Sequence, residues 1–289
     1  MHTTHSGSWI FTGSCSSQLG TVDVVTRYMA QSGNYINEIH SFDDKVQGMF
    51  FLRIEFTPAT ADFSVAHFND EFATRADTFA MKWNLSPVTQ KERVAILVSK
   101  YDHCLNDLLF RVRTEQLNIE IPLIISNHPD LEPLAKWHEI PYYHLPITPE
   151  TKLDQEAQIL ALLDEYQIDL TVLARYMQVL SPQMCQQLDG KAINIHHSLL
   201  PGFKGARPYH QAWEKGVKMV GATAHYVNND LDEGPIITQG IQPVNHALYP
   251  EQLISKGQDI ERITLFNAVR YHVEKRVFLS GKRTVVFDN

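Results

Sequence analysis

Three polar residues, Asn194, His196 and Asp232, have the side-chain types that move protons at a carbonyl group. Successive side chains of a β-strand alternate between its two faces, so Asn194 and His196 are predicted to point the same way while Ile195 points the other way. Asp232 follows about 36 residues later, just before a Gly-Pro turn. A histidine can act as an acid, a carboxylate as a base or as the group that orients the histidine, and an amide as a donor to an oxyanion. Together the three residues indicate acid–base chemistry at a carbonyl carbon.

Zinc binding and a purely structural role are the alternatives to this chemistry. The chain contains no H-E-x-x-H sequence, and adjacent histidines of a strand would point to opposite faces, so no metal site is predicted. The structural alternative for His196 is a core histidine bonded to a backbone carbonyl. It is disfavoured because the three polar residues converge at the ligand-binding end of a predicted sheet. The zinc-compatible side chains of this region are His196, His197, His210, His225 and Asp232.

The elements that must position these residues alternate between strand and helix from about residue 93 onward. This order predicts a mostly parallel sheet with crossover helices, in which ligands bind beyond the carboxyl ends of the strands. The short apolar strand 192–195 places Asn194 and His196 at such an end. The strand 221–227 brings His225 to the same region, where it is predicted to orient Asp232; a buried histidine bonded to backbone is the alternative. The last predicted element is a long helix over 251–277.

The first 86 residues show a different pattern, in which strands and helices follow the order βαββαβ. That order predicts a small ferredoxin-like α+β domain with one antiparallel sheet covered on one face by two helices. A polar segment that contains Pro87 follows it and is typical of a linker. The fold class predicted for the whole chain is therefore α/β, with a first domain over 1–86 and a Rossmann-like second domain over 87–289.

Composition limits the classes of partner. The 25 basic and 33 acidic residues give a net charge of −8, which disfavours binding to nucleic acid or to an anionic membrane and favours a small-molecule partner. Three widely spaced cysteines contain no C-x-x-C pair, which is typical of a reducing compartment. Neither a signal peptide nor a long apolar run is apparent, so a cytoplasmic protein is expected.

Two motifs resemble the formyltransferase family that acts on 10-formyltetrahydrofolate. They are N-I-H-H-S-L-L-P-G-F-K-G and V-N-N-D-L-D-E-G-P-I-I, and the resemblance extends over about residues 93–285. It implies a folate substrate, no metal or other cofactor, and Asn194, His196 and Asp232 as the catalytic residues. It also implies folate contacts along two segments, although core packing is an equal alternative for the apolar residues among them. The predicted folate-binding residues are Met177, Gln178, Val179, Leu180, Asn229 and Gly234.

The formyl acceptor distinguishes the branches of this family. The glycinamide ribonucleotide transformylases follow their first strand with a Gly- and Ser-rich loop that holds the substrate phosphate, whereas residues 99–105 here lack glycine and include Tyr101, Asp102 and His103. The acceptor site is therefore predicted to be filled, which leaves water as the nucleophile. The segment G-A-R-P-Y-H-Q-A also resembles that of the formyltetrahydrofolate deformylases, the hydrolytic branch.

Membership of that branch implies hydrolysis of 10-formyltetrahydrofolate to formate and tetrahydrofolate, a reaction of one-carbon metabolism and purine biosynthesis. Asp232 would be the general base, His196 the acid and electrostatic stabiliser, and Asn194 the oxyanion donor. Transfer of the formyl group to an amine is the alternative, and a regulatory folate-binding protein without catalysis is a second. The acidic charge disfavours the methionyl-tRNA formyltransferases.

The first domain resembles the small ligand-sensing domain called ACT, which formyltetrahydrofolate deformylases carry ahead of the hydrolase domain. ACT domains usually place an acidic residue and a glycine at the first strand-to-helix turn, and the segment C-S-S-Q-L-G retains Gly20 but lacks the acid. Two roles therefore stay open for this domain: a site for a small effector, or a surface for homo-oligomerisation through the exposed edge of its sheet.

Overall fold

The computed structural model describes residues 7–59, 63–202 and 208–288. Their contacts divide the chain into two compact units. One contains the described residues up to Gln90 together with 274–280 and 285–288, and the other contains 91–273 and 281–284. Residues 203–207, which carry the F-K-G and G-A-R segments of the sequence motifs, lie outside the described residues.

The first unit has the predicted βαββαβ order. Its strands form one antiparallel sheet in the order β2-β3-β1-β4. Aromatic side chains fill its core, where the rings of Phe11 and Phe72 pack edge to face with centroids 5.1 Å apart. Its elements are β1 (Trp9–Ser16), α1 (Thr21–Gln31), β2 (Asn34–Asp44), β3 (Met49–Pro58), α2 (Val65–Asp77) and β4 (Lys82–Pro87).

The second unit is built on a seven-stranded sheet. Its elements are β5 (Glu92–Val98), α3 (His103–Arg113), β6 (Ile119–Ser126), α4 (Glu132–Trp137), β7 (Tyr142–His144), α5 (Lys152–Glu165), β8 (Leu170–Leu173), α6 (Pro182–Gln187), β9 (Ala192–His196), α7 (Pro208–Glu214), β10 (Met219–Tyr226), β11 (Ile236–Pro243) and α8 (Pro250–Val273). The strand order is β11-β10-β9-β8-β5-β6-β7, and β5 to β9 are parallel. The central strand β5 is apolar and buried on both faces, as a parallel strand covered by helices should be. The predicted mostly parallel α/β sheet is confirmed.

The last third of the chain departs from the predicted elements. β10 runs antiparallel to β9, and β11, which was not predicted, runs antiparallel to β10. α8 ends at Val273 rather than continuing to Val277, because Lys275 adopts a left-handed conformation with φ 57°. A hairpin of β12 (Val277–Ser280) and β13 (Arg283–Val286) follows.

No helix among the described residues combines the length and the apolar composition that a bilayer crossing requires.

Candidate active site

Asn194 and His196 lie at the carboxyl end of β9, on the face that alternation predicts. The antiparallel register places His225 of β10 opposite Asn194. The Asn194 amide nitrogen lies 3.2 Å from His225 Nε2, and His225 Nδ1 lies 2.8 Å from the Tyr226 carbonyl oxygen. Because Nδ1 donates to that carbonyl, Nε2 of the neutral ring accepts from the amide. This bond fixes the plane of the Asn194 amide.

The sequence had suggested that His225 orients Asp232. The side-chain hydrogen bond of His225 goes to Asn194 instead. The distance from His225 Nε2 to the Asp232 carboxylate is 3.8 Å, which is too long for a hydrogen bond. Burial lowers the pKa of His225 and keeps its ring neutral at physiological pH, as an acceptor for the amide must be.

His196 is held from both sides. Its Nδ1 lies 3.2 Å from Asp232 Oδ2, and its Nε2 lies 2.8 Å from Ser198 Oγ. The Ser198 hydroxyl donates to the carbonyl of Gly202 at 3.0 Å, so its oxygen lone pair accepts the Nε2 proton. Sequence reasoning missed Ser198, although its position two residues after His196 was the available signal.

Asp232 is a carboxylate at neutral pH. Burial alone would raise its pKa, but the hydrogen bond from His196 and the positive charge of His196 outweigh burial and lower it below the ordinary 3.8. Its backbone is left-handed, with φ 56°, in the turn that follows β10. The turn directs the side chain back toward the ends of β9 and β10.

These groups border a cavity of about 580 Å³. Its walls include Asn194, His196, His225 and Asp232, and also five of the six residues predicted to bind folate: Met177, Gln178, Val179, Leu180 and Asn229. Met177 and Val179 are 49% and 53% exposed, so the core-packing alternative does not hold for them. It does hold for Leu180, which belongs to a buried cluster.

The sixth predicted folate contact, Gly234, is not among the residues that line this cavity. A side chain at position 234 would bring a Cβ within 1.7 Å of the Tyr226 carbonyl oxygen. Close packing of the turn against β10 therefore accounts for this glycine.

A second polar cluster, of which Glu261 lines the same cavity, was not predicted. His103, Cys104 and Glu261 offer metal-ligand atoms within 4.8 Å of one another. However, Glu261 already accepts hydrogen bonds from His103 and Arg175, and burial raises the pKa of the Cys104 thiol. Because a metal requires the thiolate and free carboxylate lone pairs, this cluster fits a hydrogen-bonded ion pair better than a metal site.

His197 also borders the cavity, with its ring centroid 5.1 Å from that of His196. Burial, the charge of Arg175 and the charge of His196 lower its pKa from 6.5 to about 4. His197 is therefore neutral at physiological pH.

Acidification from pH 6.5 to about 4 is expected to destabilise the folded chain partly through His197. In this range the unfolded chain binds a proton at position 197 that the folded chain does not bind. The free energy of unfolding therefore decreases as the pH is lowered. The variant His197→Gln lacks this contribution. Urea denaturation at pH 7 and pH 5 should show a smaller loss of stability in the variant than in the wild type; equal losses would contradict the prediction.

Comparison with known proteins shows one family that matches the second unit and relatives that match nearly the whole chain. The model of the formyl transferase family matches residues 92–269. A formyltetrahydrofolate deformylase of Corynebacterium sp. is 49% identical over 277 residues, which cover 96% of this chain and 97% of the relative. A relative of the same name from Bacillus subtilis is 42% identical and covers 95% of this chain and 92% of its own length.

Solved structures similar to this chain include proteins with the same name as these relatives. A formyltetrahydrofolate deformylase from Pseudomonas putida, known from its crystal structure, has 58% sequence identity to this chain. Its TM-score is 0.92, over 97% of this chain and 100% of that one. A glycinamide ribonucleotide transformylase from Symbiobacterium toebii is 30% identical, with a TM-score of 0.64, and covers 68% of this chain and 94% of that one.

Proposed function

Since the chain belongs to the formyl transferase family and, within it, to the formyltetrahydrofolate deformylases, we propose that its cavity hydrolyses 10-formyltetrahydrofolate to formate and tetrahydrofolate. One observation carries the catalytic part of this proposal: an ionised carboxylate, an imidazole and an oriented amide border one cavity. These are the base, acid and oxyanion donor that attack of water on a formyl carbon requires.

In the proposed mechanism Asp232 takes a proton from water as the water oxygen bonds to the formyl carbon. The second N–H of the Asn194 amide donates to the oxyanion that forms, and His196, as the imidazolium, stabilises the same charge. The bond from the carbon to N10 of the folate breaks as N10 takes a proton from His196. Asp232 returns its proton to His196, and formic acid leaves as formate and a proton. The 3.2 Å contact between His196 and Asp232 supports this proton return.

The folate is proposed to lie along the cavity wall formed by the 177–180 segment and Asn229. Met177 and Val179 offer exposed apolar surface for an aromatic pterin, and Gln178 and Asn229 offer amide hydrogen bonds. No metal and no further cofactor are included in the proposed reaction, since proton transfer and oxyanion stabilisation are both supplied by side chains. The site of action is proposed to be the cytoplasm, where three buried free thiols stay reduced.

The experiment that tests this function follows the purified protein, pretreated with a chelator, on 10-formyltetrahydrofolate with no amine present. Formate and tetrahydrofolate are expected in equal amounts over many turnovers. Turnover only after an amine is added would favour the alternative, formyl transfer. Turnover only after a metal is restored would overturn the metal-independent mechanism.

For the first unit we propose an ACT-like domain that serves as a homo-oligomerisation surface. β2 is an edge strand of eleven residues, and it carries the exposed apolar side chains Tyr35, Ile39 and Phe42. An exposed apolar edge is suited to pairing with the same strand of a second copy. A small effector at the turn after β1 stays an additional proposal; Gly20 supplies the left-handed backbone there, with φ 92°.

The substitution Ile39→Lys is expected to shift the protein toward the monomer, because it places a charge at the centre of this edge. Light scattering after size exclusion, over a range of protein concentrations, measures the shift. Gln31→Lys adds the same charge at an exposed position at the end of α1 and should leave the assembly unchanged. An unchanged mass for Ile39→Lys would exclude the β2 edge as the interface.

A further inference from the structure

Arg175, just after β8, has a backbone conformation that its residue type disfavours. Its φ is +64°, in the left-handed region where glycine is unstrained and a residue with a Cβ is not. Its side chain is only 9% exposed, and its Nε has no hydrogen-bond partner among the described residues. A strained backbone that carries a buried charged side chain indicates that the side chain itself is needed at this position.

Arg175 pairs with a buried carboxylate, Glu261 of α8, which is 1% exposed. Arg175 Nη1 lies 3.2 Å from Glu261 Oε2, and His103 Nε2 lies 2.7 Å from the same oxygen. Burial alone would raise the pKa of Glu261, but the His103 hydrogen bond and the charge of Arg175 lower it, so the pair is ionic.

Two tyrosines complete this arrangement. The Tyr209 hydroxyl donates to Glu261 Oε1 at 2.7 Å, and the Arg175 guanidinium lies 5.0 Å from the centre of the Tyr101 ring. Gly257, one turn before Glu261, makes room for Tyr209, since a Cβ there would lie 2.0 Å from the Tyr209 hydroxyl. We call Arg175, Glu261, Tyr101 and Tyr209 the Arg175–Glu261 cluster.

The Arg175–Glu261 cluster forms part of the wall of the catalytic cavity. All four of its residues line the cavity that Asn194, His196 and Asp232 also line. His197 connects the two groups, with ring centroids 5.1 Å from His196 and 6.3 Å from Tyr209. Tyr101 belongs to the 99–105 segment, which the sequence predicts to stand in place of the phosphate-binding loop of the transformylases. Asp102 and His103 of that segment are not among the residues that line the cavity.

We propose that the Arg175–Glu261 cluster sets the acceptor specificity of this enzyme by occupying the end of the cavity from which an amine would approach the formyl carbon. This inference rests on the proposed function. An amine brings a substituent that needs space beside the reacting nitrogen, and here that space holds a buried ion pair and two aromatic rings. Displacing a buried ion pair exposes uncompensated charge, so the cluster excludes the amine, whereas water needs no such space.

The variant Arg175→Gly tests the proposal, because glycine accepts the left-handed backbone while the end of the cavity opens. Glycinamide serves as the amine, and mass spectrometry measures N-formylglycinamide and formate together. In the transfer reaction the amine nitrogen bonds to the formyl carbon, the bond to N10 breaks, and N10 takes the proton that the amine loses. The ratio of N-formylglycinamide to formate is expected to rise at least about tenfold over the wild type.

Glu139→Gly is the matched control, since Glu139 has φ 59°, is exposed and does not line the cavity. It should leave the ratio unchanged. The wild type supplies a second measurement that needs no variant: its rate of formate release should not change as glycinamide is raised, and N-formylglycinamide should not exceed the trace that forms without enzyme.

The outcomes separate this inference from the proposed function. A wild type that releases no formate without an amine overturns the proposed function. A wild type that hydrolyses but is inhibited by glycinamide, or that formylates it, overturns the specificity inference alone. A folded Arg175→Gly variant with the wild-type ratio also overturns it.

Discussion

Replacement of Asp232 by asparagine is expected to lower the rate of formate release by about 100- to 10,000-fold, the usual contribution of a general base. Asparagine matches the shape of aspartate and, through its carbonyl oxygen, can still accept the hydrogen bond from His196 that now spans 3.2 Å. It also tolerates a left-handed backbone, which Asp232 adopts with φ 56°. The variant therefore retains the local structure and loses only the ability to take a proton from water.

Single-turnover release of formate measures the chemical step, and fluorescence titration with 10-formyltetrahydrofolate measures binding. Affinity should stay within a few-fold of the wild type, because the proposed role of Asp232 is in proton transfer. Glu233→Gln is the control: it removes the adjacent, exposed carboxylate, which does not line the catalytic cavity. If Asp232→Asn releases formate at close to the wild-type rate, Asp232 is not the base.

The part of the site that could be predicted from the sequence depends on short-range regularities. The two-residue spacing of Asn194 and His196 indicates one face of a strand, and the alternation of strand and helix indicates which end of that strand faces a ligand. The Gly-Pro turn locates Asp232 just after a strand. Each of these signals lies within a few residues of the group it positions.

The part of the cavity wall formed by the Arg175–Glu261 cluster could not be predicted, because it depends on contacts between distant residues. Arg175 and Glu261 are 86 residues apart, and nothing in the local sequence of either residue indicates the other. A positive φ at Arg175 is likewise invisible in the sequence, since arginine there reads as an ordinary residue after a strand. The closed acceptor end was inferred from the 99–105 segment, yet of Tyr101, Asp102 and His103 only Tyr101 lines the cavity.

The edge strand β11 and the antiparallel direction of β10 were not predicted, because they also depend on contacts between distant residues. β11 contains Gly240, which weakens a strand pattern in the sequence. The glycine is needed by α8, since a Cβ at position 240 would lie 2.3 Å from the Thr264 hydroxyl. The antiparallel direction of β10, which places His225 against Asn194, also follows from the tertiary fold and not from the alternation of strands and helices.

The pairing of His225 with Asn194 leads to the second prediction, a large loss of kcat in the variant Asn194→Ala. The His225 ring holds the Asn194 amide by one N–H at 3.2 Å, which leaves the other N–H for the oxyanion. Loss of an oxyanion donor should lower kcat by about 100- to 1,000-fold and leave KM nearly unchanged, because the donor bonds most strongly to charge that exists only in the transition state.

The matched control for this variant is Asn229→Ala, which removes the same kind of side chain from the same cavity. Asn229 is proposed to contact the bound folate rather than the reacting carbon, so its loss should raise KM with little change in kcat. Steady-state kinetics of both variants with 10-formyltetrahydrofolate make the comparison. If Asn194→Ala raises KM as Asn229→Ala does and leaves kcat unchanged, the Asn194 amide acts in binding, and the oxyanion must be stabilised by His196 alone.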